Sequence, residues 1–155
     1  MEDKRNILLY GIGNTLRGDD GAGIYVAGEI AKLQLKNLVV ETHQQLMLEV
    51  IENFLQHAAV LVVDASVTAT EVEIKKVTGA PVSAPASSHH TSLYLMNAMA
   101  AQLYGKKINL YTCAIPAANF ELGEHLSAAT KKHITIAAEK ICKWVRVLNR
   151  KNGIL

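Results

Sequence analysis

The sequence predicts an α/β protein built as a three-layer sandwich, with helices on both faces of a mostly parallel sheet. Short apolar runs alternate along the chain with segments whose apolar residues recur at helical spacing. Such alternation is typical of parallel sheets, whose strands need long helical crossovers between them. No internal repeat or change of composition divides the 155 residues. We therefore expect residues 1–155 to form a single domain.

The first half of the chain supplies three predicted strands and two predicted helices. The strands are expected at 6–11, 38–41 and 60–64, where apolar residues run continuously. The helices are expected at 21–33 and 46–57, where apolar residues recur every three or four positions. The third strand is the most apolar of these segments and ends abruptly in a carboxylate.

The second half begins with a less regular alternation at 71–77, which predicts an outer strand. The following residues, 79–88, are rich in Pro, Ala and Ser and are predicted to form a loop. A helix is expected at 92–104 and a last strand at 108–113. A long amphipathic helix at 126–148 completes the predicted order.

Composition and charge indicate an ordinary soluble protein, with half of the residues apolar and a net charge of +2. This charge is too small to imply a nucleic acid or an acidic membrane as partner. The last helix is nevertheless basic, and we interpret its outer side as a solvated face. Its basic residues are Lys131, Lys132, Lys140, Lys143, Arg146, Arg150 and Lys151.

The cysteines and the absence of targeting signals favour a cytoplasmic protein. Cys113 and Cys142 have no CxxC spacing and form no disulfide framework, which suits a reducing compartment. Cys113 is expected to be a buried cysteine rather than a nucleophile, because no Cys-His pairing is recognisable. No secretory signal and no apolar run of about 20 residues is present. We expect a monomer.

A glycine-rich loop follows the first predicted strand. Its Gly-x-Gly at 11–13 and Gly18 resemble a dinucleotide-binding fingerprint, although the third glycine comes five residues after the second instead of three. In that interpretation Glu41, at the end of the second strand, would bind a ribose. The adjacent carboxylates Asp19 and Asp20 would repel a pyrophosphate at the start of the next helix. A nucleotide site is therefore disfavoured but stays open.

Carboxylates follow two of the predicted strands. Asp20 lies in the loop after the first strand and Asp64 at the end of the third. Because the carboxyl ends of parallel strands share one edge of a sheet, the two side chains can be neighbours there. Either Asp19 or Asp20 is also expected to cap the helix at 21–33. Asp64 has no such capping role, which makes it the stronger candidate for function.

Histidines could complete a site with these two carboxylates. His89 and His90 open the helix predicted after the Pro/Ser-rich loop, and His43 follows the second strand as a further candidate. Two carboxylates and one imidazole suit a borderline divalent ion such as Zn²⁺ or Ni²⁺, with positions open for water or substrate.

Three motifs together resemble the hydrogenase maturation proteases. They are Gly-Ile-Gly-Asn-x-Leu-x-x-Asp-Asp-Gly-x-Gly at 11–23, Val-Asp-Ala at 63–65 and Ser-x-His at 87–89. The segment 120–127 is similar to one branch of that family. The resemblance extends over most of the chain, from about 6 to 148, and the opening motif is its most specific part.

This resemblance implies a twisted five-stranded sheet and an endopeptidase that trims the C-terminal tail of a [NiFe] hydrogenase large-subunit precursor. It also implies Asp20 and Asp64 as the catalytic carboxylates of an aspartic-type peptidase. Together with His89, both carboxylates would contact the nickel already inserted in the precursor. Nickel would be the recognition signal rather than a permanently bound cofactor, and zinc or cadmium could occupy the site in vitro.

Two questions remain at this point. His89 is preferred over His90 as the metal-contacting residue because the residues four, seven and eleven positions after it are apolar, whereas Asn97 lies seven after His90. The water could be activated by an aspartate or by a metal ion. The alternatives to a dedicated protease are a non-catalytic, nickel-recognising hydrogenase assembly protein, a nucleotide-binding domain and a general peptidase.

Overall fold

The computed structural model describes residues 6–78 and 88–153, the side chains of 88–91 excepted. It contains a five-stranded sheet, whose strands are β1 (Ile7–Ile12), β2 (Leu38–His43), β3 (Ala59–Ser66), β4 (Glu73–Lys76) and β5 (Leu110–Pro116). The α-helices are α1 (Ala22–Lys32), α2 (Ile51–Leu55), α3 (Ser88–Tyr104) and α4 (Ala128–Lys151). Short 3₁₀ turns at Gly18–Gly21 and Leu48–Val50 precede α1 and α2.

The strands lie in the order β2-β1-β3-β5-β4. The first four are parallel, and β4 runs antiparallel to β5 at the edge. The register places Gly11 of β1 opposite Thr42 of β2 on one side and Val63 of β3 on the other. The predicted α/β class with a mostly parallel sheet is thus confirmed.

Both faces of the sheet are covered by helices, which gives the three predicted layers. Ile7 and Leu9 of β1 pack with α1 and α4 in one buried cluster. Leu8 and Tyr10 pack with α2 and α3 in the other. Successive strand residues point to opposite faces, so a strand covered on both sides must be apolar throughout. This requirement explains the continuous apolar runs of the sequence.

Among the helices, the second and third differ most from their predicted bounds. The helix expected at 46–57 shrinks to the Leu48–Val50 turn and α2, because Met47 is still extended, with φ −112° and ψ 146°. Since β2 continues to His43, which lies opposite Ile12 of β1, the next residues are needed to turn the chain. Helix α3 begins four positions earlier than the predicted start at 92. Most of the loop predicted at 79–88 lies outside the described residues.

The long helix α4 packs on the sheet through one stripe and exposes its basic side. Ser127 is the N-cap, and its hydroxyl oxygen accepts a hydrogen bond from the Thr130 amide at 3.2 Å. All seven basic residues predicted to form a solvated face are exposed. No helix within the described ranges, α4 included, is long and apolar enough to cross a membrane.

Cys113 lies within β5 and is 1% exposed. Burial raises the pKa of its thiol to about 12, although the charge of Lys140 acts in the opposite direction. A thiol with this pKa carries almost no thiolate at neutral pH. The expectation that Cys113 is buried is confirmed.

Candidate functional site

The candidate site lies where the order of strands changes direction. The chain passes from β1 through α1 to β2 on one side, and then returns to place β3 on the other side of β1. Such a switch point opens a crevice outside the carboxyl ends of the two strands that flank it, which is where open α/β sheets bind ligands. The Gly18–Gly21 turn lies over this crevice and contacts β3.

Asp64 reaches the crevice from β3. The pairing of β1 with β3 ends at Gly11 and Val63, so Asp64 is the next residue along β3. It lies opposite Ala114 of β5 and is half-buried. The sequence predicted that the third strand ends at Asp64. In the structure β3 continues to Ser66, so Asp64 lies within the strand.

Asp20 approaches from the 3₁₀ turn after β1 and is also half-buried. Its Oδ2 accepts a hydrogen bond from the backbone amide of Asn14 at 3.1 Å. The side chain of Asn14 in turn accepts one from the Leu16 amide at 3.0 Å. These bonds fix the orientation of the Asp20 carboxylate within its own loop. The turn that contains Asp20 contacts β3, the strand that carries Asp64.

Two glycines allow this loop to fold back so tightly. Gly13 has φ +155°, and a Cβ there would lie 2.2 Å from the carbonyl oxygen of Asp20. A Cβ on Gly23 would lie 2.4 Å from the carbonyl oxygen of Val63. Both distances are far below contact, so only glycine lets the Asp20 turn and the start of α1 pack on β3. The glycine pattern thus has a packing function that needs no nucleotide.

We expect Gly13→Ala to destabilise the chain by about 2 kcal/mol or more, because its methyl group would collide with backbone that has no room to move. The matched control is Gly28→Ala in α1, where a Cβ would meet nothing within 4 Å. That change should stabilise the chain by about 0.5–1 kcal/mol through helix propensity. Urea unfolding of both variants measures the difference. Equal effects would contradict the packing described for Gly13.

Asp19 does not cap α1, and neither does Asp20; this prediction was wrong. The N-cap position is Gly21, and no side chain accepts a capping hydrogen bond there. Asp19 is instead fully buried and binds the segment that leads into α4. Its carboxylate accepts hydrogen bonds from the amides of Ser127 (2.8 Å), Asn119 (3.0 Å) and Ala118 (3.1 Å), and from the Ser127 hydroxyl (2.9 Å).

These bonds change the acidity of Asp19. Burial, the largest single effect, raises the pKa of the carboxyl group. The hydrogen bonds from Ser127, Asn119 and Ala118 together outweigh burial and lower the pKa from 3.8 to about 2. A buried carboxylate that accepts several N–H bonds behaves in this way. Asp19 therefore remains charged and ties the Gly18–Gly21 turn to residues 118–127.

The histidines predicted to complete the site open α3. The backbone of His89 and His90 lies in the first turn of this helix, and their side chains are outside the described residues. Leu93, Met96 and Ala100, on which the preference for His89 rested, are buried as expected. Among the side chains that are described, no group of three His, Cys, Asp or Glu residues could hold a metal ion. His89 as the third member of the site stays a prediction.

His43 is at the carboxyl end of β2, at the same edge of the sheet but on the far side of β1. Its ring stacks on Tyr10, with centroids 4.6 Å apart and planes 13° apart. Its Nε2 lies 3.5 Å from Oε1 of Glu41. Glu41 Oε2 also accepts a hydrogen bond from Asn53 Nδ2 at 2.9 Å. Burial, with help from Glu41, raises the pKa of Tyr10 to about 12. Ring stacking, the contact with Glu41 and the hydrogen bond from Asn53 thus hold these side chains together beside the crevice.

A cavity of about 690 Å³ lies at the other end of the sheet. Ile108 and Asn109, which line it, immediately precede the first residue of β5. The amino end of β5 therefore borders the cavity, away from Asp20 and Asp64. This cavity is separate from the candidate site.

Several solved structures with the same fold are hydrogenase maturation endopeptidases. The hydrogenase maturating endopeptidase HybD from E. coli is 17% identical, with a TM-score of 0.74 over 91% of this chain and 92% of that one. The [NiFe] hydrogenase maturation protease HybD from Thermococcus kodakarensis is 23% identical, with a TM-score of 0.68 over 90% and 98%. The endopeptidase HycI from Escherichia coli is 20% identical, with a TM-score of 0.68 over 90% of each chain.

No family model matches the sequence, and neither does any curated protein. At these identities the structural likeness establishes the fold. The fold that the three motifs led us to expect is therefore confirmed.

Proposed function

We propose that this chain belongs to the hydrogenase maturation proteases and removes the C-terminal extension of a [NiFe] hydrogenase large-subunit precursor after nickel insertion. The observation that supports the proposal is the contact of the Gly18–Gly21 turn, which contains Asp20, with β3, the strand that carries Asp64, at the switch point of the sheet. This arrangement occurs in a fold shared, over nine tenths of the chain, with the hydrogenase maturating endopeptidase HybD. The fold alone would leave the function open.

Nickel belongs to the substrate in this proposal. The precursor approaches the crevice with its nickel already in place, and Asp20, Asp64 and His89 offer two carboxylates and an imidazole to it. Oxygen and imidazole ligands are suitable for a borderline divalent ion. A precursor without nickel would lack this metal contact, so it would bind more weakly. The metal thereby becomes the specificity signal.

Hydrolysis requires a water molecule to attack the carbonyl carbon of the scissile peptide. One carboxylate of the pair takes a proton from this water as its oxygen bonds to that carbon. The C–N bond then breaks, and the departing nitrogen receives the proton. In the proposed setting a monomer performs this reaction in the cytoplasm, without nucleic acid or a resident cofactor.

The test is cleavage of a purified large-subunit precursor, prepared with and without nickel and analysed by intact-mass spectrometry. We expect the nickel-loaded form to lose a C-terminal peptide and the nickel-free form to remain uncut. Tight binding of the loaded precursor without any cleavage would reject the peptidase and favour an assembly protein. Equal cleavage of both forms would reject the role of nickel, and cleavage of unrelated unfolded proteins would indicate a general peptidase.

A further inference from the structure

Two leucines project from the loops beside Asp20. Leu122 is 86% exposed and Leu16 is 56% exposed. Single exposed leucines are common on protein surfaces and need no explanation. These two, however, are neighbours. Arg17 and Gly123 form a parallel β-bridge, so the backbone of the preceding residues, Leu16 and Leu122, lies side by side.

The backbone holds this pair in a fixed arrangement. The Gly123 amide donates to the Leu16 carbonyl at 2.8 Å, and the Gly18 amide donates to the Gly123 carbonyl at 2.9 Å. On the other side of Leu122, the Glu121 amide donates to the Asn119 side chain at 3.0 Å.

The segment that carries Leu122 is also anchored at both ends by Asp19, which accepts hydrogen bonds from Asn119 before Leu122 and from Ser127 after it. Ordering a surface loop costs conformational entropy. Here the loop is ordered although the large apolar side chain of Leu122 remains exposed to water. We call Leu16 and Leu122 together the leucine ridge.

We infer that the leucine ridge is the docking surface for an apolar segment of the protein substrate, a conclusion that rests on the proposed function. Leu16 precedes Asp20 by four residues in the same loop, and that loop holds the Asp20 carboxylate through Asn14. A polypeptide that brings its scissile bond to Asp20 must therefore pass close to the ridge. The leucine ridge thus extends the candidate site onto the neighbouring surface.

The charge next to the ridge indicates the chemistry of the segment. Glu121 and Glu124 are both exposed and flank Leu122 along the chain. A partner residue near them is favoured when it is basic. The occupant is accordingly a stretch of the precursor in which a large aliphatic or aromatic side chain has Lys or Arg close by.

The experiment compares steady-state cleavage of the nickel-loaded precursor by the unmodified chain and by Leu122→Ser. We expect KM to rise by about tenfold or more, because a buried leucine contact is lost, while kcat stays within about twofold. Thermal melting should be unchanged, since Leu122 is 86% exposed in the free chain. The matched control is Val147→Ser on the outer side of α4, where Val147 is 46% exposed. It should leave KM unchanged.

A charge reversal tests the second part of the inference. Glu124→Lys should also raise KM, and the increase should be larger at low ionic strength, where repulsion between basic groups is less screened. An unchanged KM in Leu122→Ser would overturn the ridge as a substrate surface. So would a dimer of the unmodified chain, detected by sedimentation, that the same variant dissociates without affecting KM. Absence of cleavage by the unmodified chain would reject the proposed function itself, and the ridge assignment with it.

Discussion

Asp64→Asn is expected to abolish cleavage of the nickel-loaded precursor, with a loss in rate of about 10²–10⁴-fold or more. The substitution keeps the size and shape of the side chain but removes its negative charge. An amide can neither take the proton from the attacking water nor offer a charged oxygen to the nickel of the precursor. Because Asp64 is only half-buried in a strand that is paired beyond it, the change should leave the fold intact.

Three measurements test this prediction. Cleavage is followed by intact mass, folding by thermal melting, and binding by titration of the loaded precursor. Glu139→Gln is the matched control, because it removes a carboxylate charge from the exposed side of α4. A folded Asp64→Asn variant that cleaves at the unmodified rate would show that the site has been assigned to the wrong residues. Loss of binding together with cleavage would place the main role of Asp64 in nickel recognition.

The sheet could be predicted from the sequence because its strands are buried on both faces. A strand covered by helices on both sides has no polar alternation, so β1 and β3 stand out as continuous apolar runs. The expectation that Asp20 and Asp64 would share an edge required only the rule that parallel strands end together. Both predictions needed only short apolar runs and the identity of the residues that follow them.

Elsewhere local patterns were misleading. Residues 46–57 have apolar spacing suited to a helix, yet β2 pairs with β1 as far as His43, so the chain must first bend and Met47 is still extended. Tertiary pairing therefore overrides propensity there. The Asp19 contacts were invisible for a different reason. An N-cap side chain binds an amide two or three positions further on, whereas the Asn119 amide is 100 residues away from the carboxylate it binds.

The same long-range contacts make Asp19→Asn the substitution with the largest expected effect on stability. An amide group can present only one acceptor oxygen to the donors from Ala118, Asn119 and Ser127. At least one buried N–H or O–H then faces an NH₂ group. Leaving buried donors without partners costs about 1–3 kcal/mol each, so we expect a loss of about 2–4 kcal/mol in urea unfolding. Glu29→Gln, which removes an exposed ion pair with Lys32, should cost a few tenths of a kcal/mol at most.

Acid pH provides an independent check on Asp19. Its pKa is lowered from 3.8 to about 2 on folding, so the folded state holds the charged form more strongly than the unfolded chain does. The resulting stabilisation, about 2 kcal/mol, is fully present above the unfolded pKa and is lost as the pH falls from about 4 towards 2.

The stability difference between the unmodified chain and Asp19→Asn should therefore shrink across this interval. All the other carboxyl groups are common to both proteins, so the comparison isolates Asp19. A difference that stays constant down to about pH 2 would mean that hydrogen-bond geometry alone, and not the charge, accounts for the role of Asp19.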